Sequence, residues 1–165
     1  MEKQPPEIPE DDNNDSEQKA RPSVFEAITG YTGQQKGSHG SACAVAVRLQ
    51  GDSSSFKVEA RVSLRGKTTV NRGAIMAVAL AAEMVESGSK LTVYASPDYV
   101  VKQLNGEYDV HENGDAIALV KKIFNERDIK MNVRDITHQH KDLKTKLKAI
   151  ATGRLFEAQL TNEGV

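Results

Sequence analysis

The chain has 165 residues, which is enough for one domain with a hydrophobic core and a terminal extension. Its 22 Lys and Arg residues and 23 Asp and Glu residues give a formal net charge of −1, so net charge alone indicates no class of partner. The single cysteine, Cys43, excludes a disulfide framework and a multi-cysteine metal site. We find no apolar run of membrane-spanning length and no secretory signal, and therefore expect a soluble, cytoplasmic protein that binds no membrane.

Residues 1–22 differ in composition from the rest of the chain. They contain four of the five prolines, few apolar residues and a net charge of −4. Such a segment buries too little apolar surface to offset the entropy of ordering it. We therefore predict a disordered acidic tail over residues 1–22, a domain over residues 23–154 and an extension over residues 155–165. The tail is either a solvating segment or an acidic arm that binds a protein partner or competes with nucleic acid for a basic face.

The first half of the domain predicts three strands. Residues 24–29 are rich in β-branched and aromatic side chains and precede a loop of Gly and Ser, which indicates a strand entering a loop. Residues 42–49 are almost wholly apolar, as expected of a strand that is covered on both faces. Residues 56–64 alternate apolar and charged side chains, which predicts a strand with one solvent-exposed face.

The second half alternates predicted helices and strands. We expect a helix over residues 74–87, a strand over 91–95, and a helix over 97–104 with Ser96 as its N-cap. A helix over 115–126, a strand over 129–133 and a helix over 140–152 that ends at Gly153 complete the domain. The order β-β-β-α-β-α-α-β-α predicts an α/β fold with a five-stranded mixed sheet and helices on both faces.

Three short strings resemble motifs of type 1 ribonuclease H. Thr29-Gly30-Tyr31-Thr32 stands where that family has Thr-Asp-Gly-Ser. Residues 68–74, Thr-Thr-Val-Asn-Arg-Gly-Ala, are similar to the family's Thr-Thr-Asn-Asn-Arg-x-Glu. Residues 95–100, Ala-Ser-Pro-Asp-Tyr-Val, are similar to its Ser-Asp-Ser-x-Tyr-Val. The resemblance covers residues 24–152 and implies the ribonuclease H-like fold.

The resemblance also implies where the family's catalytic carboxylates would lie. That chemistry uses a cluster of carboxylates to hold two magnesium ions, which activate water and stabilise the leaving oxygen. Three of the four matching positions carry Gly30, Ala74 and Ser96, and the fourth matches Asp142 or, in an equally tolerable alignment, Thr145. Glycine and alanine offer no ligand and a serine hydroxyl is a poor one, so we expect a degenerate domain with no metal cofactor.

Other carboxylates offer an alternative metal site. Glu26 lies on the first strand with Gly30, and Asp98 follows Ser96 by two positions. A nuclease with a relocated site built from Glu26, Asp98 and Asp142 is the corresponding hypothesis.

Several positions match the family's contacts to nucleic acid. In the family, the residues that match Gly40, Thr69 and Asn71 approach a sugar edge, a phosphate and the minor groove, respectively. Residues 121–154 carry a net charge of +6, and three of their lysines are spaced for one helix face. We therefore predict binding of nucleic acid, as a duplex or an RNA–DNA hybrid, through Gly40, Thr69, Asn71, Lys141, Lys144 and Lys148. The structural alternative is that Thr69 and Asn71 form a turn and cap before the first helix.

A second hypothesis is a protein-interaction module, for example a viral accessory or inhibitory factor. The acidic tail or the outer strand, residues 56–64, would then contact the partner. His138 and His140 have the spacing of a metal pair, but no third ligand is suitably placed, so we expect histidines without a ligand role. Cys43 lies in an apolar strand and is expected to be a buried small hydrophobe.

Overall fold

The structure is a computed structural model that describes residues 23–33, 40–51, 55–64, 71–110 and 112–163. The predicted acidic tail and Thr69 lie outside the described residues. In the described part of the chain, no helix is both long enough and apolar enough to cross a membrane.

Five strands form one mixed sheet, as predicted. They are β1 (Val24–Gly33), β2 (Ser41–Leu49), β3 (Lys57–Ser63), β4 (Lys90–Ala95) and β5 (Met131–Asp135). The spatial order is β3-β2-β1-β4-β5. β1 to β3 form an antiparallel meander, whereas β4 pairs parallel with β1 and β5 pairs parallel with β4.

Four helices cover the two faces of this sheet. They are α1 (Arg72–Glu83), α2 (Asp98–Leu104), α3 (Gly114–Glu126) and α4 (Lys141–Glu163), the last preceded by a 3₁₀ turn (His138–His140). α1 packs on β1, β2 and α3, and α4 crosses β1, β2 and β3. The α/β class with helices on both faces is therefore confirmed.

Alternation along β1 and β2 divides the core between the two faces. Ala27 of β1 belongs to the core that contains α1, whereas its neighbour Ile28 packs with α4. β2 presents Cys43, Val45 and Val47 to α1 and presents Ala42, Ala44 and Ala46 to α4. Because these three β2 side chains on the α4 face are all alanine, that helix can lie close to β2.

The predicted end of the last helix is wrong. Gly153 lies inside α4, which continues to Glu163. Leu147, Ala151 and Leu155 are spaced four residues apart and are all buried against the sheet. Burying a leucine stabilises the fold by about 1.5–3 kcal/mol, which exceeds the roughly 1 kcal/mol that glycine costs within a helix. The predicted extension, residues 155–165, therefore begins within this helix.

Other element boundaries differ for local reasons. β1 continues four residues past its predicted end, to Gly33. α1 ends at Glu83 rather than at residue 87, and the Arg127 guanidinium donates to the carbonyl oxygens of Ala82 and Val85 at this end. β5 begins two residues later than predicted, since the backbone N–H of Ile129 donates to the Phe124 carbonyl at 2.9 Å and closes α3.

The prediction that Ser96 is the N-cap of α2 is wrong. Pro97 occupies that position, and no side chain caps the helix.

Candidate functional site

The three positions that lack the expected carboxylates lie around one end of the sheet. β1 pairs parallel with β4 as far as Ile28 and Tyr94, and Gly30 and Ser96 each follow the last paired residue of their segment by two positions. α1 begins beside them. A Cβ atom added to Gly73 would lie 2.9 Å from the Ala42 carbonyl oxygen and 3.0 Å from that of Thr32. The start of α1 thus lies against paired residues of β1 and β2, two positions along β1 from Gly30.

Helix α4 fills the space above Gly30. A Cβ atom added to Gly30 would lie 2.6 Å from Cβ of Leu147 and 2.7 Å from the backbone nitrogen of Lys148. Carbon atoms in ordinary contact lie about 3.5–4.0 Å apart, so any side chain at this position would collide with the helix backbone. Glycine is therefore required here by packing, and an aspartate would displace α4.

The other two positions supply no charged ligand. Ala74 lies in the first turn of α1 and is fully buried in the core between this helix and the sheet. The Ser96 hydroxyl oxygen is buried and has no hydrogen-bond partner among the described residues. Magnesium ions prefer carboxylate oxygens, and two such ions need several negative charges nearby. The residues present at this site do not fit the paired magnesium ions that the resemblance implies.

Solved structures share this architecture. The N-terminal RNase H domain of Rv2228c from Mycobacterium tuberculosis superposes with a TM-score of 0.60 at 12% identity, covering 85% of this chain and 99% of that one. LC11-RNase H1 from compost, solved in complex with an RNA/DNA hybrid, gives 0.58 at 17% identity, covering 79% and 97%. RNase H1 of Halobacterium salinarum gives 0.51 at 15%, covering 78% and 95%.

The chain has the ribonuclease H fold. Its strand order, β3-β2-β1-β4-β5, is that of ribonuclease H. No protein-family model matches the sequence, and no curated protein matches it.

The carboxylates in the described part of this ribonuclease H fold do not assemble into a metal site. Among the described residues, no three His, Cys, Asp or Glu side chains are placed to hold a metal ion together. Glu26 accepts a 2.6 Å hydrogen bond from Arg48, and Asp98 pairs with Lys102 at 3.7 Å. Asp142 is exposed in the first turn of α4, about 8 Å along the helix axis from Leu147. The structure therefore does not bring together Glu26, Asp98 and Asp142.

Thr145, the alternative match for the fourth carboxylate position, makes a hydrogen bond within α4. The Thr145 hydroxyl donates a 3.0 Å hydrogen bond to the Lys141 carbonyl within α4.

Of the six predicted nucleic-acid contacts, all but Thr69 can be placed, and Asn71 and Gly40 differ in accessibility. Asn71 is half-buried at the N-cap of α1, and its side chain makes no capping hydrogen bond, so capping does not explain an asparagine here. Gly40 is buried with a φ of +121°, and a Cβ atom there would lie 2.8 Å from Leu155 and 3.0 Å from Leu64. Packing and backbone conformation therefore account for Gly40.

The three predicted lysines lie on the first half of α4. Lys141 and Lys148 are exposed and Lys144 is half-buried. Within the described part of the chain, none of the three forms an ion pair. The spacing of these lysines predicts a basic stripe but not its position next to Gly30. The signal for that position is the set of alanines at every second residue of β2, at positions 42, 44 and 46.

The remaining candidates have structural roles. His140 Nδ1 accepts a 3.2 Å hydrogen bond from the Thr137 backbone N–H, and its ring lies 4.2 Å from the Tyr94 ring. Burial lowers the pKa of His140, the effect of Arg48 acts in the same direction, and Glu26 opposes them. Cys43 is buried, and burial raises the pKa of its thiol to about 12, so this thiol is a poor nucleophile.

Proposed function

We propose that this chain binds nucleic acid, as a duplex or an RNA–DNA hybrid, and does not cleave it. The observation that carries the proposal is the contact between Gly30 and the turn of α4 that holds Lys148. The resemblance implies a carboxylate at Gly30 that would hold a cation. In this chain α4, which carries lysines, occupies that space instead. The positive charge of the lysine side chains would then attract a phosphate without a bridging metal ion.

The charge of α4 supports a phosphate contact. Lys141, Lys144 and Lys148 have no acidic partner among the described residues, so binding a phosphate would break no existing ion pair. Each lysine that neutralises a phosphate releases a condensed counterion, which makes the affinity depend steeply on salt. Removing carboxylates from such a face also removes repulsion of the phosphodiester backbone.

The proposed nucleic-acid-binding surface also includes the start of α1. The Asn71 amide makes no capping hydrogen bond, which leaves its donor for a base or sugar edge in a wide minor groove. Thr69 precedes it by two residues and completes the proposed contact. LC11-RNase H1, which shares the fold, is described in complex with an RNA/DNA hybrid. This supports the hybrid as the first ligand to test.

The site residues support the proposed absence of cleavage. Gly30 and Ala74 carry no ligand atom in their side chains, and no group of three metal-binding side chains exists in the described residues. The protein's role is then to hold a nucleic acid rather than to cut it.

The test is fluorescence anisotropy with a labelled RNA–DNA hybrid over a series of salt concentrations. We expect the double variant Lys144→Ala/Lys148→Ala to lose more than about tenfold in affinity at low salt and to reduce the slope of log K against log salt by about 2. Lys121→Ala/Lys130→Ala removes the same charge from exposed positions outside α4 and serves as the matched control.

Two outcomes contradict the proposal. One is that the unmodified chain binds neither hybrid, duplex nor single strand at about 50 mM salt. The other is that both double variants lose the same affinity, because binding would then follow total charge rather than the α4 surface.

A further inference from the structure

Strand β3 leaves one side of the sheet open. It lies at the end of the strand order and pairs only with β2 in the described sheet, so a row of its backbone N–H and C=O groups points away from the sheet. No residue of this strand is buried. An edge of this kind is a template for pairing with a further strand.

The sequence of β3 is complementary to itself when read in the opposite direction. In an antiparallel pair centred on Ala60, residues whose numbers add to 120 lie opposite each other. Glu59 then faces Arg61 of the second copy, and Arg61 faces Glu59 of that copy. Val58 and Val62 face each other in the same way. Every cross-strand pair in this register is an ion pair or an apolar pair, except Lys57 with Ser63.

The two kinds of pair fall on different faces of the sheet. Glu59 and Arg61 lie opposite Val45 and Cys43 of β2, which face α1, and Arg61 donates to Glu83 of α1 at 2.8 and 3.1 Å. Ala60 and Val62 pack on the α4 face. Paired edges would therefore align charges on one face and apolar side chains on the other.

Helix α4 covers only one end of the open edge. A groove of about 550 Å³ separates Ala60, Val62 and Leu64 of the β3 segment from Arg154, Ala158 and Thr161 of α4. The eight residues that follow Leu155 extend this helix by about 12 Å, which is more than two strand spacings. At the other end of β3, Val58 stays 44% exposed.

We propose that a second copy of this chain occupies this groove, joining the two sheets through antiparallel β3 strands about a two-fold axis at Ala60. Val58 lies at the end of β3 that α4 of the same copy leaves exposed. The two-fold axis places the C-terminal end of α4 from the other copy near this residue. Such an interface is isologous, because the same surface is used on both copies. A second copy is the proposed partner because Glu59 and Arg61 form two complementary ion pairs across the axis.

The charged pair is available for this contact. Glu59 is paired with exposed Lys57 at 3.4 Å, and that pair contributes little because Lys57 is largely exposed to solvent. Arg61 binds Glu83 through its Nη1 and Nη2 atoms, which leaves Nε for a further carboxylate. Glu59 of the second copy would complete a chain of three charges with Arg61 at its centre.

The test measures the mass of the full chain by sedimentation velocity over a wide range of concentrations. We expect a reversible dimer for the unmodified protein. Glu59→Arg places Arg opposite Arg61 twice, and Arg61→Glu places Glu opposite Glu59 twice, so each variant should raise the dimer dissociation constant by at least about tenfold. Mixing the two variants restores both ion pairs, so the mixture should form a heterodimer.

Glu86→Arg, which reverses the same charge at an exposed position outside β3, is the matched control and should leave the dimer intact. Glu59→Arg keeps the Arg61–Glu83 pair, and an unchanged melting curve shows that this variant still folds. A monomer at every concentration overturns the proposal, as does a dimer that neither variant weakens. A mixture of the two variants that stays monomeric also overturns it.

Discussion

The contact between Gly30 and α4 leads to a quantitative prediction for Gly30→Ala. The new methyl carbon would lie 2.6 Å from Cβ of Leu147, so the helix must withdraw by about 1 Å to reach ordinary contact. Overpacking of this kind costs about 1–3 kcal/mol, and the lower unfolded-state entropy of alanine offsets about 0.5–1 kcal/mol. We expect a net loss of roughly 1–2 kcal/mol and a fall in Tm of roughly 2–8 °C.

Gly153→Ala is the matched control, since the same change is made on α4 itself. Nothing lies within 4 Å of a Cβ atom added at Gly153, and alanine favours a helix interior, so this variant should gain about 0.5–1 kcal/mol. Urea denaturation followed by circular dichroism measures both effects. If Gly30→Ala is as stable as the unmodified chain, α4 does not lie close to β1, and our argument that the helix excludes a carboxylate fails.

Three further predictions concern groups outside the candidate interface. Cys43 is buried and its thiol pKa is raised, so a thiol reagent should label unfolded protein far faster than native protein; equal rates would refute this. The pKa of His140 is lowered by burial, so its contribution to stability is present above about pH 6.5 and is lost as pH falls through its folded pKa. His140→Gln should flatten the urea stability profile over that range, and an unchanged profile would contradict it. Leu155→Ala should lower the free energy of unfolding, measured by urea denaturation, by about 2–5 kcal/mol. Leu160 is 53% exposed, so the control Leu160→Ala should change it by no more than about 0.5 kcal/mol. Similar losses in the two variants would place Leu155 outside the core.

Much of the fold could be predicted from local patterns in the sequence. The alternation in residues 57–63 reports directly on one strand with two different faces, and the apolar run of β2 reports on a strand that is covered on both sides. Helix ends were less predictable. Gly153 is a local stop signal, and only the burial of Leu155 against Gly40 and Leu64 shows why the helix continues.

The candidate site could be predicted in part. The absence of a carboxylate at Gly30, Ala74 and Ser96 is visible in the sequence, because it depends on residue types alone. The reason for glycine at position 30 is a contact with Leu147, which lies more than a hundred residues away, and no local pattern reports such a contact. Gly40 illustrates the converse, since its resemblance to a substrate-contacting glycine left its packing against Leu155 unrecognised.

We propose above all that this chain binds nucleic acid through its own cationic side chains, without divalent metal ions. The most direct test is the affinity for a labelled RNA–DNA hybrid in magnesium and in EDTA at equal ionic strength, with the recovered hybrid examined for cuts. We predict equal affinity under both conditions and an intact hybrid. Binding that requires magnesium, or a hybrid cut when magnesium is present, would contradict the claim.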